Sequence, residues 1–207
     1  MEKAKNAEEY IAQQRQMIAA NPECGTSYYN LAVALIGLQK YEEAEKELFN
    51  ALECSPGLAE AYVQLGGLAL RKGDLDGCLE YNRRAVKVKP GFSEGHGNIG
   101  FVHLQRGEVD EAIQSLQRAT YFNFRFVQAF ASLGSAYLMK GEIEESIQNS
   151  LKALALAPDF AVAHNNLAIA YLEKKDYGKA VEHCDKAMKL GYEVAPRILE
   201  EIEKHRS

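Results

Sequence analysis

Residues 31–57, LAVALIGLQKYEEAEKELFNALECSPG, and residues 65–91, LGGLALRKGDLDGCLEYNRRAVKVKPG, share one pattern of side chains. The second stretch begins 34 residues after the first, and both end in the dipeptide Pro-Gly. Self-similarity at a fixed period of this length is the sequence signature of a repeat architecture. The two stretches therefore set the period at which the rest of the chain is compared.

The 34-residue period continues through most of the chain. An alanine row, an aliphatic row and a proline row recur at this spacing, and Phe124 stands where one proline is expected. The rows are Ala51, Ala85, Ala119, Ala153 and Ala187; Leu31, Leu65, Ile99, Leu133 and Leu167; and Pro22, Pro56, Pro90 and Pro158. The period predicts five repeats, which are residues 25–58, 59–92, 93–126, 127–160 and 161–194.

Each repeat is predicted to contain two helices joined by a short turn. Apolar residues recur at helical spacing in both halves of the repeat. Glycine occupies the turn at Gly73, Gly107 and Gly141, where it can adopt the left-handed conformation that ends a helix, while Gln39 and Lys175 replace it in the other repeats. The proline then ends the second helix because its ring is incompatible with helical continuation.

Two rows of small residues predict close contact between the helices. The rows are Ala32, Gly66, Gly100, Gly134 and Ala168 in the first helix, and Ala44, Cys78, Ala112, Ser146 and Ala180 in the second helix. Small side chains let two helical backbones approach closely. We therefore expect these rows to lie where the two helices of each repeat meet.

The two quoted stretches resemble the tetratricopeptide repeat, and the resemblance covers about four-fifths of the chain. It implies an all-α fold, a right-handed α-α superhelix of five helical hairpins. A repeat array needs atypical units at its ends to cover its exposed apolar faces. We expect residues 1–24 and 195–207 to form the N-terminal and C-terminal capping helices.

The resemblance also implies that the first helices line a concave groove, in which family members bind an extended peptide or a partner helix. The groove residues implied are Asn30, Val33, Gln64, Gly67, Asn98, Phe101, Ser132, Ser135, Asn166 and Ile169. An amide side chain can both donate and accept, so the Asn and Gln members could pair with the main chain of a ligand. The alternative is that these amides form hydrogen bonds within the scaffold.

An aromatic segment lies where the fourth proline is missing. Phe126 matches Phe92 and Phe160 by period, and we expect it in the core between repeats. Tyr121 and Phe124 have no counterparts in the other repeats. If both are exposed, they indicate a second contact surface or a dimer contact.

Composition and charge argue against several partner classes. The net charge is −5, and no basic stripe suitable for a phosphate backbone is present, so nucleic acid is not expected as a partner. No apolar stretch is long enough for a membrane span, and the first residues lack an apolar leader, which predicts a cytoplasmic protein. The four cysteines form no CxxC pair and are expected to be reduced.

No motif for catalysis, a cofactor or a metal is visible. His96, His103 and His164 fall on helix-packing rows, which favours a structural role over metal binding. The sequence therefore predicts a non-enzymatic adaptor or scaffold without a cofactor, which binds a protein or peptide partner of unknown identity. The alternative is a scaffold that associates with itself into homo-oligomers.

Overall fold

The computed structural model describes the backbone of residues 2–206 and the side chains of residues 6–206. The described residues form twelve α-helices and no β-strand, which confirms the all-α prediction. The helices are α1 (Glu2–Ala20), α2 (Gly25–Gly37), α3 (Tyr41–Cys54), α4 (Ala59–Arg71), α5 (Leu75–Val88), α6 (Ser93–Gln105), α7 (Val109–Phe122), α8 (Val127–Lys140), α9 (Ile143–Leu156), α10 (Ala161–Glu173), α11 (Tyr177–Lys189) and α12 (Pro196–Glu203).

Consecutive helices pack as antiparallel hairpins, as the repeat pattern predicts. Helix α2 packs on α3, α4 on α5, α8 on α9, and α10 on α11. The chain forms two compact units, unit 1 (Met1–Asn98) and unit 2 (Ile99–Ser207), and the boundary between them falls inside α6. At the termini, α1 packs on α2 and buries Ile11, and α12 packs on α11 and buries Ile202.

The close helix contacts predicted from the small residues are present in the structure. A Cβ added at Gly100 would lie 2.5 Å from Leu116 Cγ and 3.2 Å from the Ala112 carbonyl oxygen. A Cβ at Gly134 would lie 3.0 Å from Asn166 Nδ2. Real Cβ atoms essentially never come within 3.0 Å of such neighbours. A side chain at Gly100 would therefore force Leu116 to shift, and one at Gly134 would require Asn166 to move by a few tenths of an ångström.

The second helix of a repeat ends without proline where Phe124 replaces it. Helices α3, α5 and α9 end two residues before Pro56, Pro90 and Pro158. Helix α7 ends at the equivalent residue, and the backbone N–H of Arg125 donates to Asn123 Oδ1 at 3.0 Å. An asparagine side chain that bonds the backbone two residues later mimics a turn. Asn123 therefore supplies the chain reversal that proline favours in the other repeats.

The turns inside the hairpins all contain one residue in the left-handed conformation. The φ angles of Gly73, Gly107 and Gly141 are 78°, 72° and 80°, as the glycine pattern predicts. Gln39 and Lys175 have φ angles of 60° at the equivalent positions. The left-handed region costs a side-chain-bearing residue about 1–2 kcal/mol. The hairpins α2–α3 and α10–α11 are therefore closed by a strained residue.

We expect Lys175→Gly to raise the free energy of unfolding by about 0.5–1 kcal/mol. Glycine removes the strain at φ 60°, although it also gives the unfolded chain more freedom, which offsets part of the gain. Thermal unfolding followed by far-UV circular dichroism measures the change. The reverse exchange, Gly141→Lys, should destabilise the α8–α9 hairpin by a similar amount. A lower melting temperature for Lys175→Gly would contradict the inference that the backbone of Lys175 is strained.

Candidate functional site

A groove in unit 2 lies along the first helices of its hairpins, and α8 and α10 pack against each other beside it. Its volume is about 450 Å³. We name it the unit 2 groove, and its lining residues are Phe101, Leu104, Gln105, Gln128, Ala131, Ser132, Ser135, Met139, Phe160, Val162 and Tyr192. Because α6, α8 and α10 all begin a hairpin, the repeat period places equivalent residues side by side along the groove.

The unit 2 groove is apolar and carries no charge on its described lining residues. Phe101 and Met139 are 37% and 56% exposed, and they are the large apolar side chains most open to a ligand here. Gln105 and Gln128 are also exposed and can both donate and accept hydrogen bonds. The arrangement can bind an apolar side chain while neighbouring amides pair with a ligand's main chain, and it has no group that would recognise a charge.

Three residues predicted from the repeat resemblance line the unit 2 groove, namely Phe101, Ser132 and Ser135. The predicted residue Ile169 is half-buried and lies in an adjacent depression with Met139 and Glu173. Gln105 and Met139 were not predicted, although each lies one helical turn beyond a predicted residue and they are 34 residues apart. Extending the period by one turn would have identified both.

Asn166 corrects the expectation of an amide open to a ligand. Its side chain is only 3% exposed, and Nδ2 donates to the carbonyl oxygen of Ala131 at 2.9 Å. Its Oδ1 accepts from the hydroxyl of Ser135 at 3.1 Å. Both ends of the amide therefore form bonds between α10 and α8, and the burial of the side chain closes it to a bound main chain. Its role in unit 2 is to join two helices and to orient Ser135 at the groove.

In unit 1 the predicted amides of Gln64 and Asn98 also form bonds within the scaffold. Gln64 hydrogen-bonds to the Tyr29 hydroxyl, whose pKa is raised because the ring is half-buried. Asn98 Nδ2 donates to Asn82 Oδ1 at 3.0 Å, and Asn82 is fully buried. Asn30, Gln64 and Asn98 remain half-buried, so ligand contact stays a prediction for them.

The apolar and glycine positions predicted in unit 1 remain accessible. Val33 is 40% exposed, and a Cβ at Gly67 would meet no atom within 4 Å. These two positions leave open surface on α2 and α4. Their contact with a ligand also remains a prediction.

The aromatic segment at the C-terminal end of α7 carries two strongly exposed side chains. Tyr121 and Phe124 are 82% and 76% exposed, and the Tyr121 ring packs edge-on against Phe122. Tyr121 also borders a second depression of about 460 Å³ between α7 and α9, beside Phe130 and Tyr137. Exposed aromatic clusters of this kind are typical of contact surfaces. Phe126 packs against the core cluster that contains Ala129 and Leu133, as its period predicts.

The histidines named in the sequence are bonded to the scaffold. His96 Nε2 contacts the Pro90 carbonyl oxygen at 2.8 Å, and His164 Nε2 contacts the equivalent Pro158 carbonyl oxygen at 2.9 Å. His103 Nδ1 bonds to the Glu108 carboxylate. Within the part of the chain that the structure describes, no group of three His, Cys, Asp or Glu side chains is placed to hold a metal ion.

His164 and His183 form a pair between α10 and α11. Their Nδ1 atoms are 2.9 Å apart, and the His183 ring also stacks on Tyr171. His164 Nε2 donates to the Pro158 carbonyl oxygen, because a carbonyl oxygen can only accept. Burial, and then the charge of His164, lower the pKa of His183 to about 4. His183 is therefore neutral at pH 7.

Among residues 2–206, no helix is both long enough and apolar enough to cross a membrane.

Three family models match the chain. Models described as tetratricopeptide repeat match residues 8–59 and 63–126, which together make up more than half of the chain, and residues 161–190. A model described as TPR repeat matches residues 134–175. No curated protein matches the chain.

Many solved structures are similar to the chain, at low sequence identity. The TPR protein YrrB, whose structure is described as having an unusual peptide-binding site, aligns with a TM-score of 0.71 at 22% identity, over 92% of this chain and 97% of its own. Pseudomonas aeruginosa PilF aligns with a TM-score of 0.77 at 20% identity, over 89% of this chain and 85% of its own. A chain of the APC/C hetero-tetramer Cut9-Hcn1 aligns with a TM-score of 0.81 at 18% identity, over 99% of this chain and 40% of its own.

These structural similarities support the fold, and the assignment of the chain to a protein family rests on the family models. Tetratricopeptide repeat proteins mediate protein–protein interactions and are typically non-catalytic scaffolds. The repeat rows, the hairpins and the family models agree, and the chain belongs to the tetratricopeptide repeat family.

Proposed function

We propose that the chain is a non-catalytic adaptor that binds an uncharged, apolar segment of a partner protein in the unit 2 groove. The observation that carries this proposal is the absence of charge among the described residues lining the groove, together with the exposure of Phe101 and Met139. An apolar pocket with a few polar groups that fix orientation is the usual form of a ligand site. YrrB, a protein of similar fold, is described as having an unusual peptide-binding site, which is consistent with a peptide ligand.

The chemistry of the groove indicates how the segment binds. An extended peptide alternates its side chains, so one apolar side chain can lie between Phe101 and Met139 while main-chain groups reach Gln105 and Gln128. A charged residue at the same place would lose its hydration without gaining a partner, which costs several kcal/mol. The groove therefore selects against charged segments, and it differs from sites that recognise a carboxylate with lysine and arginine.

Met139→Lys is expected to weaken peptide capture at least tenfold, about 1.4 kcal/mol, because it places a charge in an uncharged groove. The intact chain is used to select binders from a library of random peptides, and their affinity is measured by fluorescence anisotropy. Met188→Lys is the matched control, since Met188 is 45% exposed and lies outside the groove. Equal affinity in the two variants, or enrichment of strongly charged peptides, would contradict the proposal.

Self-association is the second candidate, and the exposure of Tyr121 and Phe124 at 82% and 76% favours it. Large apolar surface that is exposed on an isolated chain is often covered by another protein. In this case multi-angle light scattering will show a mass that rises with protein concentration. The double variant Tyr121→Ser, Phe124→Ser should then stay monomeric, whereas Phe49→Ser, at a 44% exposed site on α3, should not. A constant monomer mass for the wild-type chain rules out this candidate.

A further inference from the structure

Two cysteines of unit 1 lie beside the same turn. Cys24 directly precedes α2, and Cys54 is the last residue of α3. The thiol of Cys54 donates to the carbonyl oxygen of Pro22 at 3.5 Å, two residues before Cys24. On the other side of Cys24, a Cβ added at Gly25 would lie 2.7 Å from the Ala51 carbonyl oxygen. The chain on both sides of Cys24 therefore contacts the last turn of α3, which places Cys24 and Cys54 at the same helix–turn junction.

The surroundings of Cys24 favour its ionised form. Its sulfur accepts a hydrogen bond from the Ser27 hydroxyl at 3.3 Å. That bond, with the backbone N–H groups of Ser27 and Thr26 in the first turn of α2, lowers the pKa of Cys24. Cys24 is also partly exposed, so a reagent can reach it. A thiol that ionises readily and is accessible is the reactive kind, because the thiolate is the nucleophile.

The other two cysteines provide references within the same chain. Cys78 and Cys184 are 1% and 0% exposed. Burial raises the pKa of both thiols. These two are therefore expected to be inert while the protein is folded, and any reactivity of the native chain falls to the pair Cys24 and Cys54.

We propose that Cys24 is a peroxide-reactive thiol and that Cys54 resolves its oxidised form to a reversible disulfide between the start of α2 and the end of α3. The Cys24 thiolate attacks hydrogen peroxide, the O–O bond breaks, and a sulfenic acid forms while the released hydroxide takes up the proton that Cys24 lost. The Cys54 thiol then attacks the sulfenic sulfur, the S–O bond breaks, and water leaves as the S–S bond forms. In total, two thiols and one hydrogen peroxide give one disulfide and two water molecules, and an excess of a small thiol reverses the reaction.

The bond would form at a turn outside the helices. A disulfide needs the two Cα atoms within about 4.4–6.8 Å. Residues 21–24 form a turn outside the helices, closed by the Cys24 N–H to Asn21 carbonyl bond at 3.2 Å. A turn can adjust its backbone more readily than a packed helix can. Once formed, the disulfide would link this turn covalently to α3.

The test uses the intact chain treated with limited hydrogen peroxide, then blocked with iodoacetamide, digested and analysed by mass spectrometry. We expect a peptide in which Cys24 and Cys54 are linked, with the loss of two hydrogen atoms, while Cys78 and Cys184 remain reduced. In the untreated protein at pH 7, iodoacetamide should modify Cys24 about tenfold faster than Cys54. An oxidised Cys24 without the linked peptide, or equal alkylation rates for the two residues, would overturn the proposal.

Two variants separate reactivity from folding. In Cys54→Ser, oxidation should stop at the sulfenic acid of Cys24, which dimedone traps. In Ser27→Ala, the pH midpoint for alkylation of Cys24 should rise because the hydroxyl donor is lost, while the circular dichroism spectrum stays that of the wild type. A dimedone adduct equally abundant in wild type and Cys54→Ser, or an unchanged midpoint in Ser27→Ala, would count against the assigned roles.

Discussion

Gly100→Val will lower the free energy of unfolding by about 3 kcal/mol. A Cβ at Gly100 would lie 2.5 Å from Leu116 Cγ and 3.2 Å from the Ala112 carbonyl oxygen. Leu116 is 1% exposed, so the clash falls inside the core. Overpacking a close helix contact costs about 1–3 kcal/mol, and valine adds two methyl groups beyond the first clash. Urea denaturation followed by far-UV circular dichroism measures the loss.

The same substitution at Gly67 is the matched control. A Cβ there would meet no atom within 4 Å, so valine should be tolerated at this position. Because valine is a better helix former than glycine, Gly67→Val should be neutral or stabilising by a few tenths of a kcal/mol. If the two variants unfold at the same urea concentration, the close contact between α6 and α7 is not the reason that glycine is required at position 100.

Acidification from pH 7 to pH 4 is expected to destabilise unit 2 by about 1–2 kcal/mol through His183, after allowance for its half-exposed ring. The pKa of His183 is lowered from 6.5 to about 4 in the folded chain. Below pH 6.5, the unfolded chain therefore binds a proton that the folded chain does not bind. The stabilising contribution is complete above pH 6.5, falls as the pH drops, and is lost below about pH 4.

The charged groups around His183 shift its pKa in both directions. Burial is the main cause of the low pKa, and His164, Lys186 and Lys179 add to it, while Glu182 opposes it. Protonation of His183 places a charge in a partly buried site between α10 and α11, and this cost is the source of the expected loss of stability.

The variant His183→Gln isolates this effect from the general acid response. Carboxylate ion pairs on the surface weaken at low pH in both proteins and cancel in the comparison. We expect the melting temperature of His183→Gln to depend less on pH between 6.5 and 4 than that of the wild type. Parallel pH profiles for the two proteins would show that His183 is not the group responsible.

Much of the architecture could be predicted because the repeat makes local features recur. The left-handed turns at Gly73, Gly107 and Gly141 follow from residue type and period, and so do the close contacts at Gly100 and Gly134. Each of these features depends on short-range geometry, and comparison of the repeats separates the residues that recur from the exceptions. A pattern that appears five times specifies the hairpin better than any single copy could.

The candidate site was less predictable because it depends on contacts between different repeats. Asn166 has the residue type and spacing of a groove amide, but its bonds to Ala131 and Ser135 can be seen only once α8 and α10 are packed. Tyr192 reaches the groove from the irregular segment after α11, where no period applies. Residue type indicates what a side chain can bond to, whereas packing decides whether that capacity is already used.

The glycine turns inside the hairpins also determine where foreign sequence can be accommodated. Gly73, Gly107 and Gly141 are exposed, and the position of a Cβ at each is clear of other atoms within 4 Å. Exposed turn tips of small residues are where polypeptide insertions are best tolerated. An epitope or a fluorescent label placed at Gly73, which is not among the residues that line the unit 2 groove, would therefore lengthen a hairpin tip of unit 1 and leave the lining of the proposed binding surface unchanged.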